Sequence, residues 1–211
     1  MESSADPTAP SAAPLPLTAV RRRDREKHDA WTRTFLERAL TGVLATVWEG
    51  RPYVNSNLFV YDGTGHRLYL HTARTGRTPG IVEEGGAASF TAWTMGRLLP
   101  APEALEFSVE YAAAVVFGSL RAVAEPGEKR IALELIMGKY APHLEAGRDY
   151  RPITPGEVER TGVHALEIDA WSGKEKVVAP DFPGAYSLPV PTPPVIPATP
   201  MGPLSPAGPS F

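Results

Sequence analysis

The sequence predicts a mainly β domain with flanking helices, folded as an antiparallel barrel or sandwich. Three observations lead there. About six short apolar or alternating runs are separated by brief turns. Helical periodicity is confined to a few segments, and no strand–helix–strand rhythm signals a parallel sheet. Proline-rich stretches bracket one uninterrupted globular region.

Of the 23 prolines, four fall in residues 1–20 and eleven in 180–211. Such composition favours disordered or polyproline II conformations. The expected organisation is a disordered tail over 1–21, one domain over 22–179 and a Pro-rich C-terminal tail over 180–211, which either stays free or docks on a surface.

The first element reads as a helix from Lys27 to Leu40, with Trp31, Phe35, Leu36, Ala39 and Leu40 on one face and Gly42 as terminator. The preceding basic run, Arg21 to Arg23 with Arg25 and Lys27, alternates with carboxylates and reads as a solvated helix entrance. Strands follow over Val43–Trp48, Tyr53–Tyr61 and Arg67–Thr72, joined by Glu49-Gly50-Arg51-Pro52 and Asp62-Gly63-Thr64-Gly65. A short helix over Thr78–Glu84 takes Pro79 in its first turn. Ala87–Thr94 returns to strand. Phe107–Phe117 alternates, with Phe107, Val109, Tyr111, Ala113, Val115 and Phe117 sharing a face. A helix from Pro126 carries a Leu133, Ile136, Met137 and Tyr140 stripe. His164–Ala170 is the last strand, closed by Trp171-Ser172-Gly173-Lys174.

Composition removes several functions. Without cysteine there is no disulfide, thiolate metal site, iron–sulfur cluster or cysteine nucleophile. This fits a reducing cytoplasm. Twenty-one basic and 24 acidic side chains give a net charge of -3, too balanced to attract nucleic acid or membrane surfaces. Residues 1–20 lack the basic start and apolar core of a secretory signal. No apolar run approaches the roughly 20 residues of a membrane span. The five histidines have no paired ligand spacing, so no metal site is expected. Nucleophile elbow, Walker loop and dinucleotide glycine fingerprint are all missing.

The stretch from Leu68 to Thr78 is the richest in chemistry. An alternating strand ends at His71-Thr72, and a loop with Arg74, Gly76 and Arg77 leads to a helix start. Backbone donors at such a junction and a planar guanidinium suit a phosphate. An ordinary turn with solvated arginines is the alternative. With Leu68 and Leu70 facing the core, His71 points outward, toward a ligand, a second subunit or solvent. Asn55 and Asn57, on one face with Tyr53 and Phe59, are unusual strand residues; they address a ligand or mark an exposed edge. Trp171 offers an aromatic plane and Lys174 a point charge, or the tryptophan packs at a barrel mouth.

Seven blocks in order carry a resemblance. They are Gly42–Val47, Arg51–Val54, Leu70-His71-Thr72 with Gly76-Arg77, Leu105–Tyr111, Val115–Gly118, Arg151-Pro152-Ile153 and Trp171–Lys174. From Arg22 to about Lys176 the chain resembles the pyridoxamine 5'-phosphate oxidase-like FMN-binding split-barrel superfamily, and within it the nitroimidazole-reductase (Nim) resistance family. The resemblance implies a six-stranded antiparallel split β-barrel that forms a homodimer with FMN at the subunit interface. It implies FMN phosphate contacts at His71, Thr72 and Arg77, with Thr78 beside them in the cofactor site, and a flavin ring along Asn55, Ser56, Asn57 and Leu58. It implies partner contributions from Tyr111, Trp171 and Lys174, and a catalytic role for His71 in reducing a nitro group. Thr78 stands where some relatives carry lysine, and Ala112–Ala114 follow Tyr111 where relatives often carry polar residues. The expected function is therefore an FMN-dependent oxidoreductase acting on a small nitroaromatic or similar electrophile. The alternative is a non-catalytic module binding flavin, F420 or haem.

Overall fold

The computed structural model describes residues 16–73, 76–83 and 86–189. The expected tails therefore lie largely outside the described residues, as do Arg74 and Glu84. Among the described residues, eight strands join one antiparallel sheet. They are β1 (Glu26–Lys27), β2 (Thr41–Trp48), β3 (Arg51–Leu58), β4 (Val60–Asp62), β5 (Arg67–Thr72), β6 (Ala87–Leu99), β7 (Ser108–Ala122) and β8 (Gly162–Lys176). The helices are α1 (Asp29–Arg38), α2 (Arg77–Glu83), α3 (Pro126–Tyr140) and α4 (Pro155–Arg160).

The strand order β3-β2-β6-β7-β8-β5-β4 puts β3 and β4 at opposite ends of the path, with β1 added beside β8. Yet β3 and β4 are separated in the chain only by Phe59. The sheet must therefore curl until its two ends meet, and the seam there is not hydrogen-bonded as a ladder. That is a split barrel. The Tyr53–Tyr61 strand of the sequence reading is thus two strands. With β1 this raises the count from six to eight.

The seam is held by a side chain. The Tyr140 hydroxyl accepts from the Phe59 amide at 2.9 Å and lies 2.8 Å from the Phe59 carbonyl and 2.6 Å from the Leu40 carbonyl. These backbone groups would otherwise lack strand partners. Lys139 donates to the Leu36 carbonyl at 3.2 Å and rests 3.9 Å from the Phe59 ring centroid. Burial lowers its ammonium to a pKa of about 8.

Inside the barrel, Leu36, Phe59, Leu68, Leu70, Phe90, Val116 and Leu166 form the main core. The Phe59 and Phe90 rings pack at 4.7 Å. A second core lies under α3, where Ala132 and Ile136 cover Tyr69, Val163 and Ala165. Each fully buried large apolar side chain contributes about 1.5–3 kcal/mol.

Gly42 does not end the first helix. It lies within β2, and a Cβ there would overlap the Phe90 ring. The helix stops earlier, at Arg38, where Ala39 turns extended. On β7 the apolar alternation from Val109 to Phe117 lies on the outer face, half-buried except at the buried Ala113, and Phe107 precedes the strand. The barrel side is taken by Ala114, Val116 and Leu120. The last strand runs through Trp171–Lys174 to Lys176 instead of closing there, because β7 pairs with it along its whole length. Residues 178–186 fold back onto the β6 end. Arg97 donates to the carbonyls of Val178, Ala179 and Pro180, and Tyr186 bridges Leu98.

Candidate functional site

The β5 end is built by alternation. Leu68 and Leu70 enter the barrel, and His71 emerges exposed opposite Val163. Thr72 is half-buried. Its hydroxyl donates to the Ala73 carbonyl at 3.0 Å and lies 3.4 Å from His164 Nδ1. His164 itself is 4% exposed. Burial, then the Lys129 charge, lowers its pKa. Gly76 has a φ of 126°, a region that excludes ordinary side chains. Arg77 is exposed and holds its guanidinium 5.6 Å from the Tyr53 ring centroid, whereas Thr78 is buried.

Strand β3 ends the sheet path, so one of its edges is free of ladder partners. Tyr53, Asn55 and Asn57 occupy its half-buried face, while Val54, Ser56 and Leu58 are exposed. Asn57 Nδ2 donates to the Asn55 carbonyl at 2.8 Å. The edge-strand reading thus describes its position, but the asparagines occupy the more buried of its faces.

His71 and Leu58 meet at a cavity of about 520 Å³. Leu133, Ile136 and Met137 of α3 form its apolar wall, with Arg151 and Glu157 at its polar side. Arg151 donates to Glu157 at 2.7 Å. The Thr154 amide and hydroxyl, then Arg151, hold the Glu157 carboxyl down at about 2. Helix α4, which carries Glu157, was absent from the sequence reading. Its signal was Thr154-Pro155-Gly156-Glu157, a capping box with proline in the first turn.

Tyr111 and Lys174 lie together on the outer face, Lys174 Nζ 5.7 Å from the Tyr111 ring centroid. Trp171 is elsewhere. In a continuous strand residues three apart face opposite ways. Trp171 is therefore turned toward α1, donating to Asp29 at 2.9 Å and packing 5.8 Å from the Tyr61 ring. The candidate residues thus sort into separate groups. His71 and Leu58 share a cavity. Arg77 meets the start of β3. Tyr111 and Lys174 form an outer patch, and Trp171 stands apart. The sequence reading also missed Arg25, whose guanidinium donates to the Tyr111 hydroxyl at 3.2 Å. The pairing of β1 with β8 brings it there, and no local pattern announces that pairing. Among the described residues, no cluster of three His, Asp or Glu side chains is arranged to hold a metal ion.

A family model described as pyridoxamine 5'-phosphate oxidase matches residues 28–175. No curated protein matches the chain. Among solved structures, the flavocytochrome Anf3 from Azotobacter vinelandii is 21% identical, with a TM-score of 0.68 over 90% of this chain and 92% of that one. An FAD and heme binding protein from Mycobacterium smegmatis is 24% identical, with a TM-score of 0.65 over 85% and 94%. A protein from Bacteroides thetaiotaomicron described as a 5-nitroimidazole antibiotic resistance protein is 22% identical, with a TM-score of 0.59 over 71% and 84%. At these identities the likeness is one of fold.

Proposed function

Because the chain belongs to the pyridoxamine 5'-phosphate oxidase family, we propose that it is a flavin-dependent oxidoreductase that reduces a small nitroaromatic or similar electrophile beside His71. One observation carries this reading. The open-edged strand β3 has a guanidinium at its start, Arg77 over Tyr53, and an imidazole at its end, where His71 shares a cavity with Leu58. The five-residue step from Tyr53 to Leu58 spans about 17 Å of strand. That is a seat for an elongated cofactor with one anionic end.

The residues fit such a group. Arg77 forms no ion pair with a carboxylate among the described residues, and Thr72 offers a hydroxyl beside His71. Asn55 and Asn57 present amides to the ring. Bound FMN or FAD would supply the electron pair. The wall formed by Leu133, Ile136 and Met137 keeps water from the electrophile, and His71 donates the proton that accompanies reduction. The exposed apolar side chains of the sheet, including Val54, Leu58, Trp93 and Met95, are the surface on which a homodimer forms.

A second reading rests on the cavity itself. About 520 Å³ with an apolar wall and an exposed imidazole suits haem. His71 would ligate the iron, and Arg151 would pair with a carboxylate. Two of the neighbours sharing this fold over most of their length are, by name, a flavocytochrome and an FAD and heme binding protein. The two readings separate by spectrum and by variant. Arg77→Ala is expected to weaken flavin binding tenfold or more, about the worth of one charge-assisted hydrogen bond. His71→Ala should keep flavin but abolish anaerobic nitroimidazole turnover, or, on the second reading, remove a Soret band. Full turnover by His71→Ala would overturn the proton-donor assignment.

A further inference from the structure

A second concavity, of about 340 Å³, opens on the outer face of β7 and β8, away from the His71 cavity. Arg21, Arg22 and Arg25 line it from the leading segment, Lys174 from β8, and Tyr111, Val115 and Phe117 from β7. Four cations converge here in a chain whose net charge is negative. The nearby carboxylates are largely committed to other partners. Asp24 binds Arg22 through two bonds of 2.7 and 2.8 Å. Glu26, which lies across from Lys174, binds Arg23 at 2.9 Å, and Glu175 binds Lys27 at 2.8 Å. Arg25 reaches Asp24 only at 3.8 Å, and among the described residues Arg21 and Lys174 form no ion pair.

Arg25 and Lys174 are held in place by one ring. Arg25 lies 5.8 Å and Lys174 5.7 Å from the Tyr111 centroid, within cation–π reach. Arg25 also bonds the Tyr111 hydroxyl at 3.2 Å. The preorganised charges call for a multiply charged anion. The volume exceeds what inorganic phosphate needs, and Val115 and Phe117 add an apolar seat suited to a flat ring. The concavity has the size of one nucleotide, not of a polymer track.

We propose that this pocket is a nucleotide subsite that takes the adenosine diphosphate half of a dinucleotide. Its charged end binds the pyrophosphate through Arg21, Arg25 and Lys174, and Phe117 and Val115 receive the base. Two molecules carry this moiety to a redox protein: FAD, whose flavin phosphate is one half of that pyrophosphate and would then sit here instead of on Arg77, and a reduced nicotinamide dinucleotide. The assignment of the pocket stands on its own residues; the choice between these two sources rests on the flavin reading.

The test titrates ADP into the full-length chain as purified, followed by calorimetry and by the absorbance of any released flavin. ADP is expected to bind, or to displace copurified FAD, at least tenfold better than adenosine. Arg21→Ala/Arg25→Ala should weaken this tenfold or more at an unchanged unfolding midpoint, and Arg25→Lys should recover part of it. Displacement of FAD assigns the moiety to the flavin. Binding with flavin retained, in competition with a reduced nicotinamide dinucleotide, assigns it to the electron donor. A chain that carries no flavin yet binds ADP through these arginines removes the flavin reading and keeps this one. The proposal is overturned if ADP neither binds nor displaces, or if the folded double variant binds it unchanged. It is equally overturned if a single-stranded oligonucleotide displaces ADP at far lower concentration.

Discussion

The two ends of the outer face of the long β7–β8 pair treat their side chains in opposite ways. At the β5 end of β8, under α3, Arg67, Arg121, Glu128 and Glu167 pair with one another. Glu128 accepts from Arg121 at 2.6 Å and Tyr69 at 2.9 Å, Arg67 joins at 3.2 Å, and Glu167 binds Arg121 at 2.8 Å. At the other end, toward β6, Trp93 is 59% and Met95 45% exposed, and among the described residues Lys174 forms no ion pair and lies against the Tyr111 ring. A saturated network has no remaining affinity to offer. An apolar sheet with uncommitted cations does. The difference locates structure at one end and recognition at the other.

The largest expected effect is at the hinge between these regions. Gly118 sits at the register shift of β7 against β8, where a Cβ would overlap the Glu167 carbonyl. Gly118→Ala should destabilise by about 3 kcal/mol, since backbone cannot yield as a flexible side chain can. Unaltered urea unfolding would show the register to be looser than described. Next is the seam. Tyr140→Phe leaves Phe59 backbone groups unpaired and should cost about 2 kcal/mol; a smaller loss than Gly118→Ala is the expected order.

In the paired region, Glu128→Gln should cost about 1 kcal/mol near neutrality, the modest worth of a partly exposed network. Arg121 hydrogen bonding lowers the Glu128 pKa below its ordinary 4.5. A carboxylate with a lowered folded pKa stabilises fully above its unfolded value and loses that as pH falls through the folded one. The gap between wild type and variant should therefore hold above pH 4.5 and close below it. A gap independent of acid would refute the assignment. At the unpaired end, Met95→Glu should halve the mass seen by light scattering. His71→Ala, at an exposed position, should move the unfolding midpoint least, within about 0.5 kcal/mol.

Local patterns made much of the fold legible. Leu68 and Leu70 fixed the inward face of β5, and Pro126 marked the start of α3. Phe59 did not announce a break, because a buried aromatic in an extended run looks the same on either side of a seam. Gly42 resembled a helix stop because the need for space beside Phe90 is a long-range fact. The site was legible in parts. His71 emerged where alternation put it, but Trp171 and Lys174 were read as one unit because the strand was ended too early. Arg25 looked solvated because its partner Tyr111 is 86 residues away. What depends on pairing between distant strands leaves no local trace.

The most direct test of the flavin site is the visible spectrum and mass spectrum of the small molecule released from purified wild type and Arg77→Ala. A flavin in the wild type, strongly depleted in the variant at an unchanged unfolding midpoint, is the predicted result. A colourless wild-type chain that quenches the fluorescence of neither added FMN nor added FAD would contradict it.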